Sequence, residues 1–206
     1  EDLTPDPYNR YYTGYSETPW YSYKLKIAEL RDSTGNLLVE KGTGHVVAFD
    51  DDFKKVLEEG DIKNNKKEGE WRGPIADSGK FICVYHNDKL KSGVSYMKSG
   101  SHYNFKQLHT DAVFKDGIAA FQLFIRNNLQ FPESAKKHNV SGSVSVGFFI
   151  EPNGSLSEIK VVKSLVKSVD DEAIRVINLS PLWIPATEYG ISIRTYQWVP
   201  VYFFNL

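Results

Sequence analysis

The sequence GSVSVGFFIEPNG spans residues 142–154 and contains the clearest structural pattern in the chain. Every second residue of its first part is apolar, namely Val144, Val146, Phe148 and Ile150. Successive side chains of a strand point to opposite faces, so this period of two predicts a strand with one buried face. The following Glu151-Pro152-Asn153-Gly154 has the Asn-Gly chemistry of a hairpin turn, and Leu156–Ser164 is predicted to return as the second strand.

A helix is predicted before this hairpin. Asp116-Gly117 is expected to cap it, because an Asp side chain can accept the free N–H groups of a first helical turn. Apolar residues then recur at helical spacing and predict one buried face, made of Ile118, Phe121, Phe124, Ile125 and Leu129. Asn127-Asn128 and Pro132 end the helix.

A second helix and a last strand are predicted after the hairpin. Ser168 and Asp171 have the spacing of a variant capping box. The stripe predicted to be buried consists of Val169, Ala173, Val176 and Ile177. Asp170 and Glu172 are expected to be caps or surface charges, and Trp183 a core residue. Tyr189-Gly190 turns the chain into a long final strand over residues 191–204.

The resulting order is helix, strand, strand, helix, strand. A right-handed crossover through the second helix can place the last strand beside the first. The sequence therefore predicts an α+β C-terminal domain, with a three-stranded antiparallel sheet and two helices on one face.

Three further motifs accompany this order: Phe131-Pro132-Glu133-Ser134-Ala135, Pro181-Leu182-Trp183-Ile184-Pro185 and Trp198-Val199-Pro200-Val201. Together with their spacing, they resemble the C-terminal domain of TonB in the form common in Bacteroidetes, over about residues 116–206. The resemblance implies a protein that acts by contacting other proteins and not by catalysis.

The last strand is the predicted partner-binding site. An open edge of a three-stranded sheet can accept an extended peptide as a further strand. In TonB-like proteins the corresponding strand captures the TonB box, an N-terminal peptide of outer-membrane transporters. The resemblance implies this use for about residues 192–201, with the site residues Ser192, Ile193, Arg194, Thr195, Tyr196, Gln197, Trp198 and Val199. Pro200 cannot donate a ladder hydrogen bond and is expected to limit pairing to the residues before it.

The expected function is that of a periplasmic or cell-envelope protein in TonB-dependent transport, with an outer-membrane receptor as partner. The chain opens with Glu1, so we expect that a signal peptide or lipoprotein leader has been removed. TonB proteins usually have a membrane anchor and a Pro-rich arm before this domain, whereas in this sequence a hairpin-repeat domain precedes it. A non-transducing scaffold or adaptor that self-associates through the same edge, as a homodimer, is therefore the alternative.

The N-terminal half is predicted to contain repeated hairpins. After an irregular leading segment and a first strand at Trp20–Ile27 (together residues 1–35), Gly44, Gly69 and Gly93 recur at intervals of 25 and 24 residues. Each begins a strand–turn–strand unit, with links at residues 64–69 and 87–93. This antiparallel sheet of hairpins, residues 36–107, resembles the MORN-like repeats of the YwqK antitoxin family over about residues 36–106. A generic sheet of hairpins is the alternative.

Composition bears on the other function classes. The formal net charge of -1 lacks the basic excess typical of nucleic-acid-binding proteins. The single cysteine, Cys83, permits neither an intramolecular disulfide nor a cysteine zinc cluster, and we expect a buried, inert thiol. No apolar run is long enough to span a bilayer. The five histidines lack metal-ligand spacing, and no catalytic triad or phosphate loop is present, so no enzyme, cofactor or metal is predicted.

Overall fold

The computed structural model describes residues 27–32, 34–52, 54–76 and 78–204. The predicted leading segment lies outside these residues, as does all but Ile27 of the predicted first strand. The chain divides into two compact units, Glu1–Gln107 and Leu108–Leu206. In the described ranges, no helix has the length and apolar character needed to cross a membrane.

The first unit contains an antiparallel sheet of eight strands in sequence order. Each strand pairs with its neighbour in the chain, as expected for consecutive hairpins. The strands are β1 (Glu29–Arg31), β2 (Leu37–Glu40), β3 (Thr43–Phe49), β4 (Val56–Lys63), β5 (Lys66–Ile75), β6 (Gly79–His86), β7 (Lys89–Met97) and β8 (His102–Phe105).

The links between the predicted repeats are shorter than the sequence suggested. Asn64 and Asn65 have φ values of 53° and 60°, and Asn87 and Asp88 have values of 51° and 65°. Positive φ at both central residues is the geometry of a tight two-residue hairpin turn, which Asn and Asp tolerate well. The strands therefore begin at Lys66 and Lys89, and the predicted links at 64–69 and 87–93 are wrong.

Glycines beneath aromatic rings shape the buried face of this sheet. A Cβ at Gly60 would lie 2.5 Å from the Trp71 ring, and one at Gly93 would lie 2.2 Å from the Phe105 ring. The rings thus cover the neighbouring strand directly. Cys83 is fully buried on its strand, and burial raises the pKa of its thiol to about 11. The prediction of a buried thiol is confirmed, and the raised pKa makes that thiol inert.

The second unit has the predicted α+β architecture with additional short elements. In chain order these are β9 (His109–Thr110), α1 (Gly117–Asn128), α2 (Glu133–Lys137), β10 (Gly142–Ile150), β11 (Leu156–Lys163), α3 (Lys167–Asn178), β12 (Ala186–Glu188), β13 (Ile191–Ile193) and β14 (Thr195–Phe203). The main antiparallel sheet has the order β11-β10-β14, and a smaller one has the order β13-β12-β9. The last strand therefore lies beside the first, as predicted. The short helix α2 was not predicted.

The core of this unit confirms both predicted apolar patterns. The side chains of β10 at alternate positions and the predicted stripe of α3 are all fully buried. Trp183 is the expected core residue. Its ring packs against Phe114, Phe121 and Phe148 at centroid distances of 5.4, 5.2 and 5.6 Å. Its indole N–H donates to the Ser180 hydroxyl at 3.0 Å, so the polar edge of the ring is satisfied.

Neither predicted helix cap is present. Asp116 has a left-handed backbone with φ of 66° and makes no side-chain cap hydrogen bond. It belongs to the preceding turn, in which Gly117 N–H donates to Phe114 C=O at 2.8 Å. Helix α3 starts two residues earlier than a Ser168 cap requires, with Val166 at the N-cap. Asp170 instead accepts the Leu165 N–H of the preceding loop at 3.0 Å.

Two expectations about side-chain burial are also wrong. Ile118 was placed on the buried face of α1 but is 64% exposed, because the helix turns Phe121 towards the core. Glu172 was expected to be a cap or a surface charge, yet it is only 8% exposed. Burial of this carboxylate is possible because α3 and the end of α1 supply hydrogen-bond donors to it.

The predicted long final strand is broken at Arg194. Residues Ile191–Ile193 pair with β12 across the Tyr189-Gly190 turn, whereas Thr195–Phe203 pair with β10. The Arg194 guanidinium donates to Glu151 at 2.9 Å and also pairs with Glu158. It lies 3.5 Å from the centre of the Phe149 ring. These contacts hold the chain at the β10–β11 hairpin, where it passes from one sheet to the other.

Candidate partner-binding edge

Strand β14 lies at an edge of the main sheet. It pairs with β10 along its whole length, from Ile150 opposite Thr195 to Gly142 opposite Phe203, without a bulge. No strand among the described residues pairs with its other side. The side of this nine-residue strand that faces away from β10 is therefore an open edge.

Alternation along β14 separates two sets of residues. Val199, Val201 and Phe203 are buried towards the helices, whereas Tyr196, Trp198, Pro200 and Tyr202 are exposed on the opposite face. The Ser141 hydroxyl, next to the start of β10, donates to the Phe203 carbonyl at 3.4 Å. The Phe203 backbone is thus turned towards β10. Because backbone direction also alternates along a strand, the exposed set turns its N–H and C=O groups to the open edge.

An apolar groove runs between α1 and this edge. Its volume is about 560 Å³. Helix α1 supplies one wall, and the second half of β14 with the residue that follows supplies the other. The lining residues are Ile118, Phe121, Gln122, Ile125, Arg126, Leu129, Phe131, Val199, Pro200, Tyr202 and Phe204. Arg126 is the one charged residue in this lining.

The face of the sheet opposite the helices is aromatic near the same edge. Tyr196, Trp198 and Tyr202 are 49%, 59% and 56% exposed. The Tyr196 ring extends over Gly147 of β10, where a Cβ would lie 2.0 Å from its hydroxyl. It also packs against Phe149 at 5.3 Å between centroids. The edge is therefore flanked by an apolar groove on one face and by aromatic rings on the other.

An ion pair between the buried Glu172 and the partly exposed Arg175 fixes the helical wall of the groove. Arg175 donates to Glu172 through two nitrogens, both at 2.7 Å, and also to the Asn128 carbonyl at the end of α1. Glu172 accepts the Gln130 N–H at 2.5 Å. Burial raises the pKa of Glu172, but the hydrogen bonds from Arg175 and Gln130 outweigh burial and lower it overall. The charged carboxylate therefore ties α3 to the C-terminal end of α1.

The structure divides the eight predicted site residues between two strands. Ser192 and Ile193 lie in β13, opposite Thr187 and Ala186, and Arg194 lies in the break. Thr195, Tyr196, Gln197, Trp198 and Val199 lie together on the open edge of β14. Sequence reasoning missed the helical wall, because Ile118 was assigned to the core. The sequence signal for this wall is the spacing of Ile118, Gln122 and Arg126, which are four residues apart and therefore share the polar side of α1.

The described side chains contain no cluster of His, Cys, Asp and Glu that could hold a metal ion. The fold and the edge together define the class of this unit as a small α+β domain with an open edge strand.

Residues 127–204 match the family described as Gram-negative bacterial TonB protein C-terminal. The match covers less than half of the chain and lies within the second unit, which is therefore similar to TonB C-terminal domains. The MORN-like resemblance of the first unit stays a prediction.

Two solved structures are similar to part of the chain. Both are NMR solution structures of the TonB C-terminal domain of Helicobacter pylori. One is 24% identical and the match covers 40% of this chain and 75% of that one, with a TM-score of 0.33. The other is 23% identical and the match covers 41% and 89% respectively, also with a TM-score of 0.33. No curated protein matches the chain.

Proposed function

We propose that the second unit binds an N-terminal peptide of an outer-membrane TonB-dependent receptor by strand addition to β14. The protein would do so in the periplasm or at the cell envelope, as part of TonB-dependent transport. The observation that carries this proposal is the unpaired edge of a nine-residue strand beside an apolar groove.

The open edge supplies the backbone contacts that strand addition needs. The N–H and C=O groups of Tyr196 and Trp198 face this edge, so an extended peptide can form ladder hydrogen bonds with both residues. Such main-chain bonds give affinity with little dependence on the sequence of the peptide, whereas pockets for its alternate side chains give specificity.

The groove supports a preference for particular side chains. The β14 side of the groove consists of Val199, Pro200, Tyr202 and the following Phe204. Peptide side chains that lie next to Val199 or beyond it, on the face of the sheet that carries α1, would therefore point towards the groove. Its lining of Ile118, Ile125 and Leu129 favours apolar side chains there. Arg126 favours a carboxylate at the same wall, because opposite charges attract across a partly desolvated surface.

Two variants of the full chain test the proposal. Ile118→Asp places a charge in the groove, whereas Leu123→Asp places the same charge on α1 outside the groove. Both original residues are exposed, at 64% and 46%, so both variants should fold. Binding of synthetic N-terminal peptides from receptors of the same genome is measured by isothermal titration calorimetry.

We expect I118D to weaken binding at least tenfold and L123D to leave it nearly unchanged. Equal affinities for the wild type and I118D would show that the groove takes no part. An absence of binding to the wild type at millimolar peptide would reject the receptor assignment itself.

A further inference from the structure

We infer that Pro200 ends the pairing edge of β14. The edge can then pair with a strand of about five residues opposite Thr195–Val199. It cannot pair over its full length with β14 of a second copy of the chain. This inference rests on the proposed strand addition and specifies the length of its partner.

The direction of the Pro200 nitrogen is the first step. Pro200 lies opposite Ser145 in the β10–β14 register. It belongs to the exposed set of β14, whose backbone groups face the open edge because the Phe203 carbonyl faces β10. Proline also occurs in sheets chiefly on edge strands, with its nitrogen turned away from the neighbouring strand. Both arguments place the proline ring on the open edge.

The consequence for an added strand is both chemical and steric. Proline has no N–H, so the edge lacks a donor midway between Trp198 and Tyr202. The ring carbon bonded to nitrogen occupies the space where a partner carbonyl would approach. A strand added beside Trp198 must therefore leave the edge at Pro200, although β14 itself continues to Phe203.

The other boundary lies at Arg194. Before Thr195 the chain leaves the main sheet and enters β13, which pairs with β12. The ion pairs of Arg194 with Glu151 and Glu158 hold this break. The open edge is thus limited to Thr195–Val199, a length of about 17 Å at the usual rise of a strand.

The same geometry opposes a homodimer built by full pairing of two copies of β14. An antiparallel pairing over the whole strand would place each Pro200 ring against the backbone of the other copy. Native proteins use prolines in this way to protect exposed edges from association. A short peptide can avoid Pro200, whereas a complete second β14 cannot.

The test compares wild type, Pro200→Ala and Pro181→Ala in the full chain. Pro181 is an exposed loop proline away from the edge, so P181A controls for proline removal alone. Receptor N-terminal peptides are lengthened in steps from four to nine residues around a fixed centre. Affinity is measured by calorimetry and the footprint by amide shifts. Self-association is followed by sedimentation.

We expect wild-type affinity to level off near five paired residues, with no peptide-induced protection of the Tyr202 amide. Lengthening the peptide to nine residues should raise its affinity for P200A at least tenfold more than its affinity for wild type. P200A should also show protection of the Tyr202 amide and self-associate more strongly than wild type. P181A should behave as wild type does. The same length dependence in wild type and P200A, or a protected wild-type Tyr202 amide, would overturn the inference.

Failure of the proposed function gives a different pattern. If no peptide binds wild type or P200A, strand addition by a receptor is rejected. The effect of Pro200 on strand pairing is then tested by sedimentation alone. Stronger self-association of P200A than of wild type then supports the inference, whereas equal self-association rejects it.

Discussion

The eight-stranded sheet of the first unit and the three-stranded sheet of the second differ most at their edges. Among the residues that the structure describes, the larger sheet ends in β1, with three residues, and β8, with four. The smaller sheet ends on one side in β14, with nine residues, beside a groove. Short edge strands are one way in which proteins avoid unwanted pairing. The other edge strand of the smaller sheet, β11, is also long, with eight residues, but β14 is the edge that has features suited to a partner.

The two sheets also bury their cores differently. In the first unit, glycines of one strand lie beneath aromatic rings of the next, so each hairpin covers its neighbour. In the second unit, the buried side chains of β10 and β14 meet the helices in one cluster. A substitution should therefore have a local effect in the first unit and a unit-wide effect in the second.

The largest effect is expected for Phe148→Ala. Phe148 is fully buried and packs against Trp183. Loss of a buried aromatic side chain typically costs about 3–5 kcal/mol. Denaturant unfolding followed by Trp fluorescence and amide signals of the second unit measures this loss. Leu182→Ala, at a residue that is 64% exposed, is the control and should change stability by less than about 0.5 kcal/mol. Similar losses for both variants would contradict the single-cluster core.

A smaller effect is expected for Gly93→Ala in the first unit. The added methyl group would lie 2.2 Å from the Phe105 ring, and overpacking of this kind typically costs about 1–3 kcal/mol. Unfolding of the first unit is measured for G93A, Phe105→Leu and the double variant. Because the two residues are in contact, their losses should not add. Additive losses would show that the ring does not cover this glycine.

Glu172→Gln should have a pH-dependent effect. The folded-state pKa of Glu172 lies below its usual value of 4.5, so its carboxylate contributes stability that is present above about pH 4.5. This contribution is lost as the pH falls through the lowered folded pKa. Loss of a charged hydrogen-bond partner costs about 1–3 kcal/mol. E172Q should therefore destabilise at pH 7 and approach wild type in acid. A constant difference across pH would contradict a charged Glu172.

The smallest effect on stability is expected for Trp198→Ala. Its side chain is 59% exposed, so the free energy of unfolding should change by less than about 0.5 kcal/mol. If an added strand covers this residue, peptide affinity should fall several-fold, since an aromatic anchor at an interface contributes to binding. Unchanged affinity for the receptor peptides would place the partner away from the aromatic face.

Local patterns made much of this fold predictable. The alternation in residues 142–150 and the stripe from Val169 to Ile177 fix a strand and a helix, because each period follows from backbone geometry. The break at Arg194 was not predictable in the same way. It depends on Glu151 and Glu158, which are 43 and 36 residues away in the chain. The tight turns at Asn64-Asn65 and Asn87-Asp88 have a local signal, because Asn and Asp tolerate positive φ, but the sequence analysis predicts longer links there.

The site was predictable in part for the same reason. The edge position of β14 was predictable because its apolar and aromatic sequence is typical of a last strand, whereas the use of Thr195–Val199 as a binding site stays a prediction. The helical wall was not predictable, because helical spacing alone does not show whether a residue at the margin of the apolar face is buried in the core or exposed. Ile118 satisfies helical spacing with Phe121 and Ile125 yet lies in the groove. Glu172 illustrates the same limit, because its donors come from Arg175 and from the distant Gln130.

The most direct test of the central proposal is an amide-shift map of the isotope-labelled full chain during titration with receptor N-terminal peptides. The account predicts shifts concentrated in Thr195–Val199 and in the groove wall around Ile118, Gln122 and Arg126, with the eight-stranded sheet unaffected. Shifts confined to the eight-stranded sheet, or none at millimolar peptide, would contradict strand addition at β14.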